Sequence, residues 1–312
     1  MTGWFRENAE RFSGQLLFDE PLSRHTYYRI GGPARVLAIP KSVDDLKFLA
    51  DGLRATQLPL FVLGLGSNVL VADEGLEALV VKSSRLNLET FAVSPTRLRT
   101  GASVAVSSLL RRGSTEGWAG LELLTGIPGS IGGVVTMNAG THLGEAKDRL
   151  TAVEFFPLLG ASAGEALEPV RVERGELRFE YRKNLFLPRG ALVWSAEWEI
   201  APGDPAQVKG AIDETLARRK ATQPLDSPSC GSVFKNPAGK RAWEVIDALG
   251  LRGHRIGDAQ FAEKHGNFIL NLGAARARDV SALIAVAKRR ALDELGVTLE
   301  EEVLQLRTTS SA

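Results

Sequence analysis

Between Ser42 and Leu53 the apolar residues Val43, Leu46, Leu49, Ala50 and Leu53 recur every three to four positions, which predicts a helix with one buried face. Ser42 is placed to cap it, with Asp45 as a capping-box partner. Upstream, residues 1–20 read as a short helix and connector. A polar loop from Ser23 then runs through the Gly31-Gly32-Pro33 turn into a strand over Arg35–Ile39. From Leu60 to Ile200 short β-rich runs dominate: Leu60–Leu63, Val69–Val71, Leu79–Lys82, Arg97–Thr100, Ala152–Phe156 and Leu192–Ile200. In the last, Leu192, Trp194, Ala196, Trp198 and Ile200 alternate onto one face, and a helix over Val104–Arg112 behind Ser103 interrupts the series.

After residue 200 helices and strands interleave. Asp204 as N-cap and Pro205 at the first helical position start a helix that buries Val208, Ala211, Ile212, Thr215 and Leu216. Further helices are expected over Arg241–Leu249 and Asp279–Leu295, each stopped by a glycine, with strands at Asn267–Asn271 and Val297–Leu306. These shifts predict an α+β chain in three lobes: residues 1–58, a strand-rich lobe over 59–202, and an α/β lobe over 203–312.

Composition narrows the function classes. Over 312 residues, 44% apolar and 24% charged positions are those of an ordinary globular protein. A net charge of +1 gives no electrostatic case for nucleic acid or an anionic membrane, so neither is expected as a partner. The amino terminus, MTGWFRENAERF, carries charges where a signal peptide needs an apolar core. Cys230 is the single cysteine, which rules out an internal disulfide and fits a reducing cytoplasm. Only four histidines are present, without HExxH spacing, and no metal site is expected.

Two glycine clusters carry the first chemical signal. Gly126–Gly140 reads GIPGSIGGVVTMNAG, a density of glycine that calls for positive φ or for close approach of another group. Successive N–H groups in such a loop can cradle a pyrophosphate, although a purely structural turn gives the same spacing. Gly64-Leu65-Gly66-Ser67-Asn68 joins two apolar runs. Val69 stands where a dinucleotide fingerprint needs its third glycine, and strand rather than helix follows. A nucleotide held by two glycine loops fits; a nicotinamide Rossmann domain does not.

With these loops in place, the chain resembles the UDP-N-acetylenolpyruvoylglucosamine reductase (MurB) family. The segments that carry the resemblance are Tyr28–Ala34 (YRIGGPA), Gly64–Asn68, Gly126–Gly140, Tyr181-Arg182, Gly231–Pro237 (GSVFKNP), Glu263–Asn271 (EKHGNFILN) and Leu299–Val303 (LEEEV). They occur in the family's order over nearly the whole chain. The resemblance implies a two-lobe FAD-binding domain of the PCMH/vanillyl-alcohol-oxidase-like type followed by a substrate-binding lobe. It further implies tight, non-covalent FAD, NADPH as hydride donor, and the enolpyruvyl ether of UDP-N-acetylglucosamine as substrate, in a cytoplasmic, monomeric enzyme of peptidoglycan precursor synthesis.

Residue by residue, the resemblance places FAD on Ile30, Gly31, Gly64, Leu65, Gly66, Ser67, Asn68, Gly126, Ile127, Pro128, Gly129, Gly132, Gly133, Asn138 and Ala139. It matches Lys220 and Asn236 to substrate contacts. Arg182 matches the catalytic arginine, Ser232 the serine that protonates the substrate carbon, and Glu302 the glutamate opposite it. By residue chemistry alone, Ser232 is ordinary turn chemistry without a GxSxG elbow, and Arg182 is a surface cation. Glu302 shares a strand face with Leu304 and Leu306, so its carboxylate calls for a partner, and a structural salt bridge would supply one.

The chain departs from the family at three points. Asn184 stands where serine is usual, and Asn236 where arginine is common in the shorter class. No tyrosine follows Arg182, which matches the class without a tyrosine-bearing lid. Two rival readings keep the glycine loops: an FAD oxidase or dehydrogenase of the same cofactor-domain type, and a non-enzymatic nucleotide-binding module. The oxidase would react with oxygen, and the binding module would not need Arg182, Ser232 and Glu302 together.

Overall fold

The Val43–Thr56 helix forms where the apolar spacing places it, and Leu46, Leu49, Ala50 and Leu53 are buried. The Ser42 side chain accepts from the Asp45 N–H at 3.1 Å. The reciprocal half of the capping box differs. The buried Asp45 carboxylate accepts from the Lys41 N–H (2.8 Å), the Ser13 N–H (2.7 Å) and the Ser13 hydroxyl (2.9 Å), so it ties the amino-terminal segment to the helix start. The computed structural model describes residues 2–160 and 166–308. It resolves into two compact units, each discontinuous in sequence. One comprises Met1–Phe18, Arg35–Leu65 and Ala78–Ala217; the other comprises Asp19–Ala34, Gly66–Glu77 and Arg218–Ala312.

A four-stranded sheet runs in the order Gln15–Pro21, Pro33–Ile39, Leu76–Lys82, Leu60–Leu63, with the last pair parallel. The first unit also contains a five-stranded antiparallel sheet, ordered Val170–Glu173, Leu150–Pro157, Ala191–Glu199, Arg97–Gly101, Thr90–Ser94. Here the clean alternation expected for Leu192–Ile200 breaks. Ser195 pairs with Glu154 and Val193 with Phe155, so Trp194 is an extra, bulged residue. Leu192 and Trp194 therefore join the Phe5–Phe48 core, whereas Ala196 and Trp198 join the Leu98–Leu109 core. The buried Trp198 indole N–H is satisfied by the Thr100 hydroxyl at 2.8 Å.

The helix expected from Val104 starts at Val106 and ends at Glu116. Ser103 does not cap it, because its hydroxyl donates to the Ser83 carbonyl. The Val106 N–H donates instead to the Gly129 carbonyl at 2.9 Å, which fixes the helix against the second glycine loop. Asp204 accepts from the Ala206 N–H at 3.0 Å and starts Pro205–Thr222 as expected.

The core of the second unit gathers the helices Ala242–Ala248 and Ala277–Leu295 and the three-stranded sheet Arg255–Ile256, Ala259–Phe261, Ile269–Asn271. Tyr28, Ile30 and Leu70 fill it. The Asp73 carboxylate accepts from the N–H groups of Ala277 (2.7 Å) and Arg278 (3.1 Å), so it caps the long helix from a distant part of the chain. The strand expected over Val297–Leu306 is shorter. Only Leu304–Leu306 is regular, in parallel register with Val69–Val71. Before it, Glu301 bridges Phe234. The segment changes pairing partner at Glu302–Leu304, and its two alternate faces are not equally buried: Val297, Leu299 and Val303 on one are inside, while Leu304 on the other is 43% exposed. No helix among the described residues is long and apolar enough to cross a membrane.

Candidate active site

In the first unit the glycine loops meet at a serine. A Cβ on Gly64 would lie 2.6 Å from the Ser130 hydroxyl oxygen, so glycine is what lets the two approach. That hydroxyl is buried and has no hydrogen-bond partner. The rest of Gly126–Gly140 is less open than a continuous phosphate nest. Ile131–Thr136 is a short helix. The N–H groups of Ile127, Gly132, Asn138 and Ala139 donate to the carbonyls of Leu124, Ala102, Val135 and Val134. Whatever those four residues offer a ligand, it is not their N–H. Pro128 and Gly133 are exposed and Gly129 is half-buried.

Asn138 is fully buried at φ 42°, and its amide is committed within the protein. Its Nδ2 donates to Glu145 Oε2 (3.0 Å) and the Glu180 carbonyl (3.1 Å), and its Oδ1 accepts from the Lys147 N–H (3.1 Å). Arg182 closes the same network. It sits at φ 58°, with Nη1 donating to Glu145 Oε1 and Nη2 to the Gly140 carbonyl, both at 3.1 Å. Its guanidinium also lies 4.8 Å from the centre of the Tyr181 ring. Arg182 is thus a fixed cation rather than a solvated one. Asn184, the departure from the family pattern, donates to the Thr136 carbonyl at 2.7 Å and accepts from the Leu187 N–H at 3.1 Å, so it shapes the turn after Arg182.

In the second unit Ser232 and Glu302 come together. The Glu302 N–H donates to the Val233 carbonyl at 2.8 Å, Phe234 bridges Glu301, and the Lys235 N–H donates to the Glu300 carbonyl at 2.8 Å. Asn267 braces the other edge of the serine segment: its carbonyl accepts from Val233 N–H, and its side chain makes two bonds to the Phe234 backbone. Ser232 and Glu302 are both half-buried. Next to them, burial pushes the Cys230 thiol up to about 12, with the Glu302 carboxylate adding to the rise. Burial likewise raises the Tyr28 phenol beside it, which no hydrogen bond of ordinary geometry reaches. A thiol so held is neutral and unreactive.

The remaining predicted residues divide between roles. Gly66 is glycine because of the chain itself: at φ 70°, a Cβ would lie 2.5 Å from the His25 carbonyl oxygen. Ile30 is a core residue, Gly31 accepts from the Ser23 N–H, and Leu65 and Ser67 are half-buried. The Asn68 Nδ2 donates to the Glu302 carbonyl, and its own carbonyl accepts from the Leu304 N–H, both at 3.1 Å. Asn236 is exposed and uses its Oδ1 to accept from the Ala242 N–H at 3.0 Å, capping the following helix. Lys220 is exposed near the end of Pro205–Thr222, where its carbonyl accepts from Lys264 Nζ. Ser130 and Glu145 were not singled out by the sequence. The hydroxyl inside a glycine run was a usable signal for Ser130, whereas Glu145 has no local signature.

The donor set suits FAD on one direct observation: an unpartnered hydroxyl buried where two glycine loops meet is an unfilled donor for a phosphate oxygen. Comparison with known proteins agrees. A family model described as FAD binding domain matches residues 34–158. A second, described as UDP-N-acetylenolpyruvoylglucosamine reductase, C-terminal domain, matches residues 223–306. The reductase of that name from Anaeromyxobacter dehalogenans (strain 2CP-C) is 41% identical, over 96% of this chain and 88% of its own length. The one from Syntrophus aciditrophicus (strain SB) is 42% identical over 93% and 92%. The crystal structure of UDP-N-acetylenolpyruvylglucosamine reductase (MurB) from Thermus caldophilus superposes with a TM-score of 0.77 at 36% identity, covering 94% of this chain and 99% of that one. A PCMH-type FAD-binding domain followed by this C-terminal domain, with such identity along almost the whole length, makes the chain a member of the UDP-N-acetylenolpyruvoylglucosamine reductase family.

Proposed function

We propose that this protein uses NADPH to reduce the enolpyruvyl ether of UDP-N-acetylglucosamine to UDP-N-acetylmuramate, the reaction that gives its relatives their name. FAD, when bound, would supply the hydride chemistry that links NADPH to the terminal carbon of the enolpyruvyl group. FAD is assigned to residues 1–58 and 59–202 through the glycine loops and Ser130, and the nucleotide sugar to residues 203–312, with Lys220 and Asn236 among its contacts. Arg182 binds the substrate carboxylate and balances the charge that develops on it as hydride arrives. Glu302 acts with Arg182 in stabilising the enolate-like charge. Ser232 gives its hydroxyl proton to the carbon next to the carboxylate, which completes addition across the double bond.

The observation that carries this reading is the pairing of Ser232 with Glu302. A hydroxyl and a carboxyl from distant segments lie on adjacent, mutually hydrogen-bonded backbone, braced by Asn267. A module that only binds a nucleotide has no use for that pair. The test is anaerobic: a yellow protein bleached by NADPH and restored to yellow by the enolpyruvyl UDP-sugar, with UDP-N-acetylmuramate formed in equal amount. Bleaching reversed by oxygen but not by the sugar nucleotide would make it an oxidase. Absence of bleaching would reject the reductase.

A further inference from the structure

Glu145 lies in none of the segments that carry the family resemblance. It begins the short helical turn Ala146–Asp148, where it and Asp148 cap each other's backbone N–H groups. That local job occupies part of its acceptor capacity, and the rest collects cations and amides. Oε1 accepts from Arg182 Nη1 at 3.1 Å; Oε2 accepts from Asn138 Nδ2 and Lys147 Nζ, each at 3.0 Å. The Glu145 and Arg182 side chains are only 17% and 15% exposed, so solvent screens the pair weakly.

What this carboxylate holds matters more than how firmly it is held. An arginine left to wander loses rotamer entropy each time it must meet a substrate, and a pre-set guanidinium avoids that loss. Arg182 is pre-set at both ends. Its backbone occupies the left-handed region, where a non-glycine residue persists only if its surroundings insist. Its head is gripped by Glu145 and the Gly140 carbonyl. Asn138, also left-handed, completes the frame by joining Glu145 to the Glu180 carbonyl, two residues before Arg182. We propose that Glu145, backed by Asn138, is the positioning residue that sets the Arg182 guanidinium for the substrate carboxylate.

This inference rests on the reductase reading, and one set of measurements separates the two. In the FAD-loaded wild type, anaerobic reduction by NADPH and reoxidation by the enolpyruvyl UDP-sugar test the reading itself; if neither occurs, reading and inference fall together. Given a working wild type, Glu145→Gln keeps the shape but removes the charge facing Arg182. The expected result is retained FAD, reduction by NADPH within about twofold, and reoxidation slowed about tenfold or more, the scale of lost transition-state alignment. Binding of the sugar nucleotide to the oxidised enzyme, read from the flavin absorbance change, weakens in parallel. Glu145→Asp recovers part of both effects.

The decisive arm is a double-mutant cycle: on an Arg182→Ala background, Glu145→Gln has little further effect, because the group it positions is gone. Additive losses, or equal slowing of both half-reactions, would assign Glu145 to structure and overturn the proposal. So would loss of FAD or of folding in both Glu145→Gln and Glu145→Asp.

Discussion

A buried hydroxyl left without a partner costs about 1–3 kcal/mol, so the Ser130 side chain destabilises the fold unless it has something to donate to. Ser130→Ala is therefore expected to leave the thermal stability of the FAD-free protein unchanged or raised. FAD affinity should fall about tenfold or more, the worth of a hydrogen bond to a charged phosphate. Calorimetry on apoprotein and titration with FAD check both halves, and unchanged affinity would remove Ser130 from the FAD site. Ser232 calls for a different measurement. Its hydroxyl is proposed to act only after hydride transfer, so Ser232→Ala should spare reduction by NADPH and slow reoxidation by at least the ~10²-fold typical of general acid catalysis. Equal slowing of the two steps in anaerobic stopped flow would mean that Ser232 only positions the cofactor. These two serines also mark what a sequence can disclose. Ser232 was found through its motif. Ser130 lay unnoticed among glycines, since only the fold reveals that its hydroxyl faces Gly64 with nothing to bond. Glu145 had no local cue at all: its partners Asn138 and Arg182 come from separate segments.

At the scale of elements, local chemistry was legible and long-range pairing was not. Asp204, Pro205 and Gly296 mark helix ends in the sequence and mark them in the fold, with Gly296 at φ 63°. The Trp194 bulge was invisible because alternation reports a strand's own period, not a skipped residue in its neighbour's register. The carboxy-terminal segment misled in the same way, since its apolar residues serve two successive pairings rather than two faces of one strand. The second pairing ties the first glycine loop to the Glu302 backbone. The Gly64–Asn68 loop leads into Val69–Val71, which is in register with Leu304–Leu306, and Asn68 brackets Glu302 through the Glu302 carbonyl and the Leu304 N–H. Asn68, which the resemblance matches to FAD, thus spends its amide on the backbone of Glu302, the carboxyl proposed to be catalytic. Asn68→Ala removes one of those two bonds, about 0.5–1.5 kcal/mol of local anchoring. It should slow reoxidation by the sugar nucleotide several-fold more than reduction by NADPH. Equal slowing, with FAD released, would return Asn68 to the flavin phosphates alone.

For the molecule as a whole, acid stability should depend on the charged face of the five-stranded sheet. There Arg171 donates to both oxygens of Glu197 at 2.8 and 3.0 Å, Arg99 and Arg171 flank Glu154, and the Ser195 hydroxyl donates to Glu154 at 3.0 Å. The Arg171 hydrogen bonds hold the Glu197 carboxyl below its ordinary range against the opposing effect of burial. A carboxyl lowered in the folded state adds stability above its unfolded value, about 4.3, and that contribution is lost as pH falls through the folded value. Thermal stability should therefore be flat in this respect from neutrality to about pH 5 and decline below it. The pair is worth on the order of 1 kcal/mol, because the Arg171 side chain, 35% exposed, remains open to solvent screening. Glu197→Gln should lower the melting temperature at neutral pH and narrow its gap from wild type as pH drops below the carboxylate range. High salt should narrow the gap only in part, since the Glu197 side chain is just 8% exposed. Melting curves of the two proteins between about pH 7 and pH 3.5 decide it. A constant offset across that interval would place the acid sensitivity elsewhere and leave Glu197 as a packing residue of the sheet.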